Sequence, residues 1–135
     1  MADEKVFVDT NVFAYALDIS DEGKRSRAAE LIEARRRSIV VSTQVLLELA
    51  SVCTRKLGMT GGEARAAVGA VALFPVVTAD RELVLVAAAT AERHQLSIFD
   101  AAIVEAAARA GCSELLSEDF SDGQVFASLR VRNPF

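Results

Sequence analysis

At 135 residues and 52% hydrophobic composition, the chain has the size of one domain, residues 1–135, with a sizeable core. Its formal net charge of −4 argues against gripping nucleic acid by bulk electrostatics. No window reaches the apolar length of a membrane span, the acidic start at Met1–Lys5 does not read as a signal peptide, and Cys53 and Cys112 match no metal spacing. The expectation is two reduced core thiols in a protein of the reducing cytoplasm.

Val6-Phe7-Val8, bounded by polar residues and too short for a helix, reads as a buried parallel strand that stops on Asp9. That places a carboxylate where open α/β sheets put their chemistry. Thr10 and Asn11 suit the start of a helix, and Val12, Phe13, Ala16 and Leu17 recur at helical spacing. After a polar break from Asp18 to Gly23, a second helix is expected over Lys24–Arg37, with Ala28, Leu31 and Ile32 inward. Residues 24–37 hold six cations, among them Arg35, Arg36 and Arg37, against Glu30 and Glu33, a net of +4 that leaves −8 elsewhere. This run reads first as a solvated helix face, with phosphate contacts as the functional alternative.

Ile39–Val41 is a second strand. Ser42 or Thr43 caps a third helix that Gly58 ends. Val45, Leu46, Leu49, Val52 and Cys53 form its apolar stripe, and Glu48 lies about 100° from the middle of it, at the edge of the buried face. Leu47 points almost opposite, which marks a second packing surface or a subunit contact. Thr60 to Glu63 has capping-box spacing for a fourth helix that ends before Phe74-Pro75, and Val76-Val77 is a strand fragment. Asp80 caps a fifth helix running to about Gln95. It is apolar nearly all round from Leu83 to Ala87 and is expected to be well buried. His94, the single histidine, has no ligating partner nearby in sequence and reads as structural or exposed.

A sixth helix runs from Ile98 to Ala110. Ser97 and Asp100 fit a capping box, which gives Asp100 a purely structural alternative. Glu114–Ser117 is a short strand with Glu118, Asp119 and Asp122 beyond its end, and Arg130–Arg132 reads as an edge strand before the tail.

Alternating strands and helices predict a parallel sheet with helices on both faces, and right-handed crossovers put the strand ends on one edge. Asp9, Glu48, Asp100 and the acids after Ser117 meet there. Converging carboxylates repel, and burial penalises each ionised form. A hard divalent cation relieves both, and with no His or Cys close by, Mg²⁺ or Mn²⁺ fits better than Zn²⁺. Such a site points to hydrolysis of a phosphodiester.

The segments Val6–Asn11, Leu46-Leu47-Glu48-Leu49, Leu96–Ile103 and Leu115–Asp119 resemble the four acidic motifs of PIN-domain ribonucleases. The length, the order and the closing Asn133-Pro134-Phe135 resemble the VapC-like toxins of bacterial toxin–antitoxin pairs. The resemblance implies a three-layer α/β/α fold with a short, mostly parallel sheet of four to five strands. It implies a Mg²⁺- or Mn²⁺-dependent endoribonuclease acting on RNA, a homodimer, and an antitoxin that covers the site. It makes Asp9, Glu48, Asp100 and Asp119 the metal-binding acids. Thr10 or Ser117 would orient ligands or waters, with Asn11 and Asp122 as further supports. Asp119 is preferred to Glu118 and Asp122 because it stands two residues past Ser117. A PIN-like module that only binds a partner is the alternative. A haloacid-dehalogenase-like phosphatase would need a second Asp where Asn11 stands, and a phospho-receiver would need an acidic pair after its first strand.

Overall fold

The structure is a computed structural model and describes residues 4–135. The chain runs β1 (Val6–Val8), α1 (Thr10–Leu17), α2 (Glu22–Arg35), β2 (Ile39–Ser42), α3 (Thr43–Arg55), α4 (Gly61–Val71), β3 (Val76–Val77), α5 (Arg81–His94), α6 (Ile98–Arg109), β4 (Glu114–Leu116), β5 (Val125–Phe126) and β6 (Leu129–Arg132). A turn of 3-10 helix, Arg36–Ser38, leads into β2.

The strands form one sheet in the order β3-β2-β1-β4-β6-β5, parallel throughout except between β5 and β6. Val6 lies opposite Ile39 on one side and Glu114 on the other, and Val8 lies opposite Leu116. All of β1 and β2 is buried, as the unbroken apolar runs predict for parallel strands covered on both faces. The sheet has six strands rather than four or five, and β6 is not its edge. β5 pairs outside β6 through a tight hairpin in which Ala127 takes φ 54°, a turn residue that announces no turn in the sequence.

Side-chain caps set the helix starts. Asp21 accepts from Lys24 N–H at 3.1 Å and starts α2 earlier than its apolar pattern does. Ser42 caps α3, Thr60 and Glu63 form the full capping box of α4, and Asp80 caps α5. Helix contacts fall into two sets, α1 with α2 and α3 and α3 with α4, and separately α5 with α6. Right-handed crossovers place these sets on opposite faces, giving three layers.

α5 is not buried all round. Leu83, Ala87 and Thr90 face inward, where Thr90 Oγ1 donates to Glu105 of α6 at 2.6 Å. Val84, Leu85 and Val86 are 48%, 64% and 49% exposed because no described element covers that side. Cys53 and Cys112 are free and buried, and burial pushes the Cys112 thiol up to about 11. His94 packs edge-on against Phe126. No helix of the described residues is long and apolar enough to cross a membrane.

Phe7, Leu49, Ile103 and Leu115 are fully buried around β1 and β4. Each such side chain contributes about 1.5–3 kcal/mol by leaving water, which makes these strands the rigid base of the site. The chain steps from β1 to β2 to β3, then returns to β4 on the far side of β1. The carboxyl ends of β1 and β4 therefore flank the point where the winding reverses, where open α/β sheets form their ligand crevice.

Candidate active site

Asp9 leaves β1 with its N–H donating to Leu116 O at 3.0 Å, so the end of the strand is still held by β4. It is also the N-cap of α1, its Oδ1 accepting from Thr10 N–H at 2.8 Å. Oδ2 accepts from the Ser117 hydroxyl at 2.7 Å. Asp9 is 3% exposed. Burial raises its carboxyl from 3.8 to about 7, opposed by the bonds from Ser117 and Thr10 and reinforced by the charges of Asp119 and Glu48.

Ser117 is fully buried and serves as a hub. Its oxygen also accepts from Asn11 Nδ2 at 3.2 Å and from Asp119 N–H at 3.1 Å. Asn11 Nδ2 reaches Asp119 Oδ2 at 3.2 Å, while Asn11 Oδ1 accepts from Glu118 N–H at 3.3 Å. These bonds separate the three crowded acids. Asp119 is tied to Asp9 through Ser117. Glu118 turns away to accept from Tyr15 OH at 2.9 Å, and Lys24 Nζ donates to the same phenol oxygen at 3.2 Å. Asp122, expected as a further support, accepts from Asn133 N–H at 2.9 Å and secures the tail instead.

Glu48 sits half-buried on α3 and is held by two donors. Thr10 Oγ1 donates to Oε2 at 2.9 Å, and Gln44 Nε2 donates to Oε1 at 2.7 Å. Gln44 also donates to Phe99 O at 3.0 Å, which joins α3 to the first turn of α6, one residue from Asp100. Gln44 was not among the residues the sequence singled out. Its signal was its place four residues before Glu48 on the same helix face.

Asp100 is half-buried. Burial raises its carboxyl most, the charges of Asp119 and Glu48 add to the rise, and the Ser97 hydroxyl opposes it. Only half of the capping box forms: Asp100 N–H donates to Ser97 Oγ at 3.0 Å, with no return bond from Ser97 N–H among the described residues. Its carboxylate is therefore not spent on a cap. No three acidic, imidazole or thiol groups of the described residues are gathered into a ready metal-ligand set. Asp9, Glu48 and Asp119 are each turned onto a hydroxyl or amide donor.

The cations at the end of the basic run lie elsewhere. Arg35 pairs with Glu114 at 2.8 Å, at the amino end of β4, and Arg36 pairs with Glu33. Arg35 to Arg37 precede β2 and so stand at the amino end of the parallel strands, the end opposite the one where Asp9 leaves β1.

The fold is thus a three-layer α/β/α sheet with acids on four segments around its switch point, Asp9 after β1, Glu48 on α3, Asp100 on α6 and Asp119 after β4. The PIN domain family matches residues 6–121, and the chain belongs to that family. Among curated proteins none matches the sequence. Solved structures share the fold. A toxin–antitoxin complex from Klebsiella pneumoniae aligns with a TM-score of 0.74 at 19% identity, over 97% of this chain and 98% of that one. The DNA-bound VapBC of Salmonella typhimurium aligns at 0.71 and 16%, over 98% and 100%. VapC20 of Mycobacterium tuberculosis, a toxin that cleaves the sarcin–ricin loop, aligns at 0.70 and 22%, over 82% and 87%.

Proposed function

We propose that this protein is a divalent-metal-dependent endoribonuclease and the toxin of a toxin–antitoxin pair. The observation that carries the reading is Asp9, a carboxylate almost wholly buried, raised to about 7 and facing the charges of Asp119 and Glu48. A fold keeps so unfavourable a group when a cation offsets it.

The donor set fits a hard cation. It consists of carboxylate oxygens, and the only histidine is engaged with Phe126. Asp9, Glu48, Asp100 and Asp119 would hold Mg²⁺ or Mn²⁺. The metal, when bound, lowers the pKa of a water and neutralises charge on the scissile phosphate. The rest falls to the chain's own residues. Ser117 fixes the rotamer of Asp9, Thr10 and Gln44 aim Glu48, and Asn11 aims Asp119. Family membership, with structural relatives that are toxins in complex with antitoxins, supports an RNA substrate and a protein antitoxin as partners. The exposed Val84-Leu85-Val86 surface of α5 supports a homodimer.

Cleavage of RNA by purified protein with Mg²⁺, with EDTA, and by Asp9→Asn tests the reading. Loss of cleavage in both of the last two is expected. A folded protein that cleaves no RNA with either metal would instead be the partner-binding module. The phosphatase alternative is disfavoured, since Asn11 hydrogen-bonds Ser117 and Asp119 where that chemistry needs an acid.

A further inference from the structure

A cavity of about 520 Å³ opens beside Glu48 and Asp119 and continues between α1 and α3. Its α3 wall is one helical stripe, Glu48, Ser51, Val52 and Arg55, with Lys56 next to it. At a rise of 1.5 Å per residue, Arg55 stands about 10 Å along the helix from Glu48. The groove is thus acidic at the sheet edge and cationic at its far end.

The two cations are unpaired. Neither Arg55 nor Lys56 forms an ion pair among the described residues, whereas Arg25, Arg35 and Arg36 of the basic run are each bound to a glutamate. Arg55 Nε donates to Ser51 Oγ at 2.7 Å, its one hydrogen bond among the described residues. The bond steadies the guanidinium on the helix and leaves its terminal nitrogens to an outside acceptor. Two acids on the opposite wall are occupied, Asp18 by Ser20 and Glu118 by Tyr15. A guanidinium with its planar fork available is suited to a phosphate.

We propose that Arg55 and Lys56 bind backbone phosphate of the RNA beside the cleavage point, so that the strand runs along α3 and enters the acidic edge from that side. The proposal rests on the ribonuclease reading. A metal at the acids neutralises the scissile phosphate only, and in a chain of net charge −4 the adjoining phosphates need cations of their own. Such contacts set the register of the strand and carry no sequence information.

The test uses a short fluorescent hairpin RNA, with binding followed by anisotropy at several salt concentrations in an Asp9→Asn background that prevents cleavage. Arg55→Gln/Lys56→Gln should bind at least tenfold more weakly. Its plot of log affinity against log salt should be shallower by up to about 1.4, at roughly 0.7 per single-strand phosphate contact. Arg55→Lys with Lys56 intact should recover most of the slope. With Asp9 intact, the double variant should raise KM far more than it lowers kcat. RNA binding with an unchanged slope overturns the proposal while the ribonuclease reading stands. So does an unchanged slope with lost binding of a short poly-glutamate peptide, which would assign the groove to a protein partner. No RNA binding by the parent and no cleavage by the wild type would overturn both.

Discussion

Ser117, at the end of β4, donates its hydroxyl hydrogen to Asp9 Oδ2 across the strand boundary at 2.7 Å. Among the described residues it is the one hydrogen bond between the Asp9 side chain and the segment that leads from β4 to Asp119. Both partners are buried, so the bond sets the rotamer of Asp9 and the path of the backbone toward Asp119 together.

Burial raises Asp9 from 3.8 to about 7, so between those values the folded protein keeps a proton that the unfolded chain has released. The stabilisation is full below about pH 4 and is lost as pH rises through 7. At 1.36 kcal/mol per unit, its upper size is about 4 kcal/mol. Urea unfolding in EDTA should show wild-type stability falling across this window, while Asp9→Asn falls less, through Asp100, and is the more stable above pH 7. Asn still caps α1, so the fold survives the change. Parallel pH profiles for the two proteins would contradict the assignment.

Ser117→Ala removes a hub from a fully buried position. Asn11 Nδ2 and Asp119 N–H lose an acceptor and Asp9 loses a donor. Stability should drop by about 1–3 kcal/mol, and the acidic limb of the pH–cleavage profile should move to higher pH, because a bond that lowers the Asp9 carboxyl is gone. Chemical denaturation and a pH–rate series read the two effects separately.

Asp100→Asn separates a capping role from a catalytic one. The return bond of the capping box is absent, so unfolding should show a change below about 1 kcal/mol. Cleavage should fall by more than a hundredfold. A variant that lost stability and kept its rate would make Asp100 a structural residue.

The outer face of α5 bears on assembly. Leu85 is 64% exposed between Val84 and Val86, so Leu85→Asp costs little within one chain. In a homodimer that uses this face it buries a charge. Sedimentation should give a dimer for wild type and a folded monomer for Leu85→Asp. A wild-type monomer at micromolar concentration would end this reading of the surface.

Much of this was legible in the residues. A buried run that stops on Asp9, the Thr60–Glu63 box and the alternation of strands with helices each state a local physical rule, and the fold obeys all of them. α5 was misread because the pattern from Leu83 to Ala87 records apolarity, and apolar positions face either a core or an uncovered surface. β5 escaped because Ala127 holds a left-handed turn without glycine. The roles of Glu118, Asp119 and Asp122 depend on which partner each side chain meets, and spacing does not carry that. Arg35 to Arg37 looked available because a charge count says nothing about which end of a strand the charges precede.

The Ser117–Asp9 bond spans 108 positions of the chain, and β4 fits between β1 and β6 in the middle of the sheet. Closing so long a loop comes late in folding, after the local helices have formed. A ribosome that has exposed β1 through α5 therefore displays Asp9 and Glu48 and still lacks Asp100, Ser117 and Asp119. Until α6 and β4 have followed, a nascent chain holds only two of the four acids.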